Sequence, residues 1–249
     1  MSSAQNTQPQ FHFRLVPFVV AVLLAFGLPY AASEVIDSAR HYSHLVPGFA
    51  DTLRWTYAQH TAWLLLSLIA IWIAQRVVPA DYALHMPQEK SYLLPAILCG
   101  AIFGALIAVV ANAPALLDHV APKLGYPRTA GAILGWLGFY GVYAGPTEEI
   151  PFRALLVTYL VATMPGKWQV RRIQVSGAGV VSAAIWAFYM SELTSRPLAV
   201  AFGQLVVQFA FGVLLAYWLE KSKSVLAPVV SHNVAGATQY VLLLLMSAA

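Results

Sequence analysis

The chain has 249 residues, of which 59% are hydrophobic and 10% charged, with a formal net charge of +4 and one cysteine. Soluble domains average about 45–50% apolar and about 25% charged residues, so a soluble globular domain is excluded; a lone Cys99 also excludes an intrachain disulfide or a cysteine-based metal cluster. The basic residues are scattered between apolar runs rather than clustered with aromatics, which argues against a nucleic-acid partner and for a role in setting membrane topology.

In chain order, residues 1–10, MSSAQNTQPQ, are polar and uncharged and are expected to form a disordered tail; residues 11–249 are expected to form a single transmembrane domain. The first apolar run, Phe13 to Ala32, is longer than the roughly 7–15 residues of a signal-peptide core and is expected to be retained as a span. Further runs cover Thr61 to Val78, Leu93 to Ala113, Ala130 to Ala144, Pro146 to Met164, Val175 to Met190, Leu198 to Leu219 and Val225 to Met246. A span needs about 20 apolar residues. The expected fold class is therefore all-α, a polytopic membrane helix bundle of seven to eight transmembrane helices. Gly145-Pro146 separates the fourth and fifth runs, because proline lacks an amide proton and crowds the preceding turn; the break is either a kink in one long helix or a turn between two.

Orientation depends on that choice. With two separate spans, Arg40, Arg54, Lys123, Arg128, Lys167, Arg171, Arg172, Lys221 and Lys223 share one side, against Arg14, Arg76, Lys90 and Arg196. With one kinked span the first two loops change sides, yet Lys167, Arg171, Arg172, Lys221 and Lys223 stay together. That side is expected to be cytoplasmic.

The segment GPTEEIPFR, residues 145–153, carries the chemistry. As a helix start it would place Pro146 in the first turn with acids facing the positive end of the dipole, and Glu149 with Arg153 as an (i, i+4) pair. Its surroundings add a second meaning: no other charge occurs between Arg128 and Gly166. A charge at mid-bilayer costs at least about 2.5–3.5 kcal/mol, so ionisable residues there are functional candidates. Arg153 can hold Glu149 charged while Glu148, about 100° round the helix, faces a different neighbour and is free to accept a proton from water.

In the last run, SHNVAGATQ places Ser231, His232, Asn233 and Gln239 in an otherwise apolar helix, with His232, Gly236 and Gln239 on one face. Such groups need partners on other helices or water in a cavity. His12, His41, His44, His60, His85 and His119 are expected to be solvated or interfacial. Glu192 is expected to be a solvated helix end. No HExxH pair, phosphate loop or G-x-S-x-G elbow is present.

The pairing of EEIPFRALL with LLAYWLEKSKSVLAPVVSHNVAG resembles the CPBP (Abi) family of intramembrane endopeptidases, which includes the type II CAAX prenyl proteases; the likeness covers about residues 130–239. The resemblance implies a membrane protease in which a glutamate activates water to hydrolyse a peptide bond in a membrane-associated protein or peptide, for instance at a C-terminal tail. It assigns Glu148 as the catalytic glutamate, Glu149 and Arg153 as the rest of that motif, and His232 as an oxyanion donor. Two positions depart. The family's second motif, an aromatic followed four residues on by histidine, is here Trp186 and Met190. The asparagine four residues past the last histidine is Gly236, for which Asn233 or Gln239 are the alternative amides.

No cofactor is expected, and a divalent metal is left open. Membrane lipid is an expected partner, and the expected location is a bacterial inner (cytoplasmic) membrane. Two other functions stay open: a catalytically impaired member acting as a membrane scaffold or peptide-immunity protein, and a small ion-coupled transporter using Glu148 and Glu149. Depth is a further condition: Glu148 and His232 are expected to meet only if the helix carrying the glutamate projects beyond the bilayer and the Gly145-Pro146 break lets water enter.

Overall fold

The computed structural model describes residues 11–41, 52–88, 90–170, 173–191, 193 and 195–248. The expected tail at 1–10, and His44, Arg171, Arg172 and Glu192, lie outside the described residues. The fold is an all-α membrane helix bundle. Helices α1 (Leu15–His41), α2 (Thr52–Val77) and α3 (Leu93–Ala111) lead through a short α4 (Ala113–Leu117) to a long α5, residues 130–163. A two-stranded antiparallel hairpin follows, β1 (Lys167–Val170) with β2 (Ile173–Ser176), in the register Lys167 opposite Ser176. The chain ends with α6 (Gly177–Met190), α7 (Leu198–Ser222) and α8 (Leu226–Met246).

Among the described residues five helices, α1, α2, α3, α7 and α8, are long and apolar enough to cross a membrane, and α6 is a shorter apolar helix. With the long α5 the described residues make a bundle of seven. The two runs on either side of Gly145-Pro146 are thus one helix, which settles the kink-or-turn alternative in favour of a single span. Two π-helical stretches, Phe139–Tyr143 and Ile150–Val157, interrupt α5 on either side of the α-helical Ala144–Glu149. Such turns bond to the fifth residue back instead of the fourth and occur frequently at functional sites.

Helix α5 is the axis of the bundle. Pro151, Phe152, Arg153, Ala154, Leu155, Leu156 and Val157 are consecutive and all buried, so this stretch shows no lipid-facing side, as expected for a helix surrounded by others. By contrast α2 leaves Leu65, Ile69, Trp72 and Ile73 exposed on its outer face, and α3 leaves Leu94, Leu98 and Ile102. In a bilayer those side chains meet acyl chains.

Helices α3 and α8 approach most closely through small residues. Gly100 and Gly104 stand one turn apart on α3, and a Cβ built at either would run into the carbonyl oxygen of Ser231 or Ala235 on α8. This small-xxx-small spacing lets two membrane helices pack backbone to backbone, and it fixes the strand of α8 that carries His232.

One end of the bundle is closed by hydrogen bonds between loops. Val225 donates its backbone N–H to the Ala83 carbonyl at 3.0 Å, and the Ser224 hydroxyl donates to the His85 carbonyl at 2.5 Å. Ser176 caps α6 by accepting the Gly179 N–H at 2.7 Å, and its hydroxyl also donates to Glu220. The Arg14 N–H points at the Met164 sulfur at 3.2 Å, which brings the start of α1 to this end as well. In the same loop His85 directs Nδ1–H to the Met86 carbonyl at 2.9 Å and Nε2 to the Asp81 carboxylate at 2.9 Å. The carbonyl and the carboxylate raise the histidine above its ordinary value, and the histidine lowers Asp81.

Replacing Gly104 by valine forces α3 from α8. The expected outcome is a loss of about 1–3 kcal/mol, the range for overpacking a tight contact, read as a lower melting temperature of the detergent-solubilised protein, whereas Gly125→Val, at a glycine with open space around its Cβ position, has no comparable effect.

Candidate functional site

The buried acids sit on the α-helical segment of α5 between its two π-helical stretches. Proline at 146 should leave the Val142 carbonyl, four residues back, without its helical N–H partner. Asn233 of α8 fills that gap: its Nδ2 donates to the Val142 carbonyl at 3.1 Å, while its Oδ1 accepts the Gly145 N–H at 2.8 Å. One side-chain amide therefore bridges the proline break and pins α5 to α8. Both ends of this amide are taken up by backbone, so Asn233 does not supply the amide that Gly236 lacks.

Glu149, Arg153 and His232 form one connected chain of ionisable groups. Glu149 and Arg153 are fully buried. The His232 Nδ1 lies 2.8 Å from Glu149 Oε1, and Arg153 Nε lies 3.1 Å from Glu149 Oε2. This second contact is an ion pair without hydrogen-bond alignment, since both of its atoms lack a hydrogen-bond partner. The guanidinium lies 4.7 Å from the centre of the Trp186 ring, a cation–π contact, and the same indole meets the His232 ring edge to face at 6.2 Å.

Glu148 occupies the neighbouring face, where its Oε2 stands 3.6 Å from His232 Nε2. That is too long for a direct hydrogen bond. Both residues line a small cavity of about 70 Å³, with Met190, Gln208 and Gln239 also in its wall. A volume of this size holds a few water molecules. Counted along the axes at 1.5 Å per residue, Glu148 lies about 22 Å from the hairpin end of α5 and His232 about 9 Å from the start of α8, so α5 overruns α8 at that end by about 13 Å and the two residues meet.

Of the sequence candidates, the structure brings Glu148, Glu149, Arg153, His232, Trp186, Met190 and Gln239 together and turns Asn233 to the α5 backbone. Two residues were missed. His60 was expected at an interface, but α2 begins at Thr52, nine residues before the apolar run. His60 thus lies two turns inside the helix, with Nδ1 2.9 Å from the Thr147 hydroxyl and its ring against Phe139 at 4.8 Å. The Thr147 hydroxyl donates to the Ala144 carbonyl at 2.9 Å, so it accepts from His60. Gln208 is the other; its signal was a glutamine pair, Gln204 and Gln208, spaced (i, i+4) in an apolar span and both buried.

The Gly236 position has a steric cause. A Cβ there would stand 2.7 Å from the Tyr140 carbonyl oxygen of α5, closer than real contacts allow, so the helices meet where the asparagine would have to sit. As for metals, Glu149 already spends both oxygens on His232 and Arg153, and among the described residues no group of three or more His, Cys, Asp or Glu is placed to hold an ion.

Fold and site define the class: an integral membrane helix bundle with a buried carboxylate–imidazole centre. Residues 130–238, from the start of α5 into α8, match the family model described as Rce1-like, type II CAAX prenyl endopeptidase. That segment, a little under half of the chain, is similar to the Rce1-like domain of the CPBP family, which supports an intramembrane endopeptidase at the level of family. The chain matches no curated protein and no solved structure.

Two outcomes test the geometry. Arg153→Met leaves Glu149 buried without its cation, which costs about 3–5 kcal/mol; the double variant with Glu149→Gln is expected to lose less than the sum of the two single changes when thermal unfolding is compared. Gly236→Asn is expected to lower the melting temperature and to leave any cleavage activity no higher, because the added side chain separates α5 from α8.

Proposed function

We propose that the chain is a metal-independent intramembrane endopeptidase with Glu148 as the general base. A water molecule in the cavity gives a proton to Glu148, and its oxygen attacks the carbonyl carbon of a peptide bond in a membrane-associated tail. His232, held through Nδ1 by Glu149, presents Nε2–H to the oxyanion that forms. As the C–N bond breaks, Glu148 returns the proton to the leaving amine. Glu149 and Arg153 touch no reacting atom; they fix the imidazole and hold the local charge. The observation that carries this reading is the convergence of Glu148 and His232, from α5 and α8, on one cavity of water size. Donors aimed at a developing oxyanion are worth several kcal/mol.

The likeness to CAAX prenyl endopeptidases suggests a lipidated or membrane-bound C-terminal tail as substrate. We assign the hairpin end, which carries Arg14, Arg76, Lys90, Lys167, Lys221 and Lys223, to the cytoplasmic side by the positive-inside rule, and the protein to a bacterial inner membrane.

A second reading has its own support. Met190 and Gly236 stand in the wall of the cavity where the resembling proteases carry histidine and asparagine, so the domain could hold a tail without cutting it, as a scaffold or immunity protein.

The test is cleavage of a fluorogenic peptide ending in a farnesylated CAAX sequence by protein reconstituted in liposomes. Wild type is expected to release the tail, and Glu148→Gln to reduce the rate by at least about 100-fold, the lower range of general-base catalysis, with its melting temperature kept. Equal rates in the two proteins overturn the protease reading. Tight binding of the peptide by a wild type that releases nothing establishes the scaffold.

A further inference from the structure

Gln208, on α7, lines the same cavity as Glu148 of α5 and is 6% exposed. Its Oε1 has no hydrogen-bond partner, and neither has Glu148 Oε2 in the same cavity. Both atoms are acceptors when the carboxyl is ionised, so they cannot satisfy one another. Leaving such atoms dry in an apolar interior is costly, and Gln208 with Gln204 interrupts a stretch of helix that is apolar apart from that pair.

A molecule with two O–H donors resolves both. We propose that Gln208 is the water-positioning residue of this site: one hydrogen of the nucleophilic water is given to Glu148 Oε2 and the other to Gln208 Oε1. The assignment deepens the protease reading and rests on it for its kinetic consequence, but the bound water stands by itself. Held at both hydrogens, the water has its lone pairs turned away from the two acceptors and toward the open part of the cavity, where a substrate carbonyl would lie. Glu148 alone takes the proton; the carboxamide neither gains nor loses one. The cavity of about 70 Å³ has room for this water. The thioether of Met190, in the same wall, is a weak acceptor and leaves the task to the carboxamide.

Infrared difference spectra of the reconstituted protein, wild type against Gln208→Leu, test the water without requiring turnover. The expected result is a water O–H stretching band that moves when H2O is exchanged for H2¹⁸O, together with a shift of the carboxyl bands that disappear in Glu148→Gln. A difference spectrum with no ¹⁸O-sensitive band overturns the proposal, whether or not the protein cleaves peptides. On the farnesylated peptide, Gln208→Leu is expected to lower kcat by about tenfold or more with KM unchanged, the scale of one lost hydrogen bond. A wild-type kcat in that variant counts against it equally. Gln208→Met, of similar length without the amide, serves as the second variant should leucine disturb the packing.

Discussion

Everything in this bundle is arranged around one electrostatic requirement: ionised groups in the centre of α5 must be neutralised within a few ångströms. Arg153 and Glu149 lie where no water reaches them, and a buried pair survives only with its partners in place. Glu149 therefore makes two contacts, with the guanidinium through one oxygen and with the imidazole through the other. The indole of Trp186 adds a π-face under the guanidinium. Satisfying Glu149 in this way ties α5, α6 and α8 together and leaves Glu148 as the carboxylate without a committed partner.

The same requirement explains the helix packing. Imidazole and carboxylate come within reach only if α8 lies close to α5, and it is drawn in from two directions. On one side α3 presents glycines to its backbone; on the other Gly236 passes the Tyr140 carbonyl, and Asn233 grips the α5 backbone at the proline. Proline and asparagine here are complementary parts of one joint, the first opening a backbone group and the second closing it. The close passage at Gly236 also shows why an asparagine is absent there without invoking any loss of purpose.

How much of this could be read from the residues follows from the range of the forces involved. The spans were legible because hydrophobicity is a property of each segment alone, and Glu148, Glu149, Arg153 and His232 were legible because charge in an apolar run has few explanations. Continuity through Gly145-Pro146 was not, since the group that rescues it comes from 88 residues away. His60 was hidden by the polar start of α2, Thr52 to His60, which looks like a loop until it is seen packed on Phe139. The strands Lys167–Val170 and Ile173–Ser176 lie between the apolar run ending at Met164 and the start of the run at Val175, and four residues each leave too short a pattern to register. Gln208 was legible in principle and overlooked, because an uncharged amide stands out less than an acid.

The π-helical turn at Phe139–Tyr143 carries an evolutionary corollary. Such turns hold one more residue than the α-helix they interrupt, so the azimuth of Glu148 is a matter of residue number rather than residue type upstream of it. Losing a single amino acid while the wide turn persists would swing both acids by about 100°, away from His232 and the cavity. Descendants of this chain should accordingly tolerate exchanges of letter in that stretch while almost never changing its length.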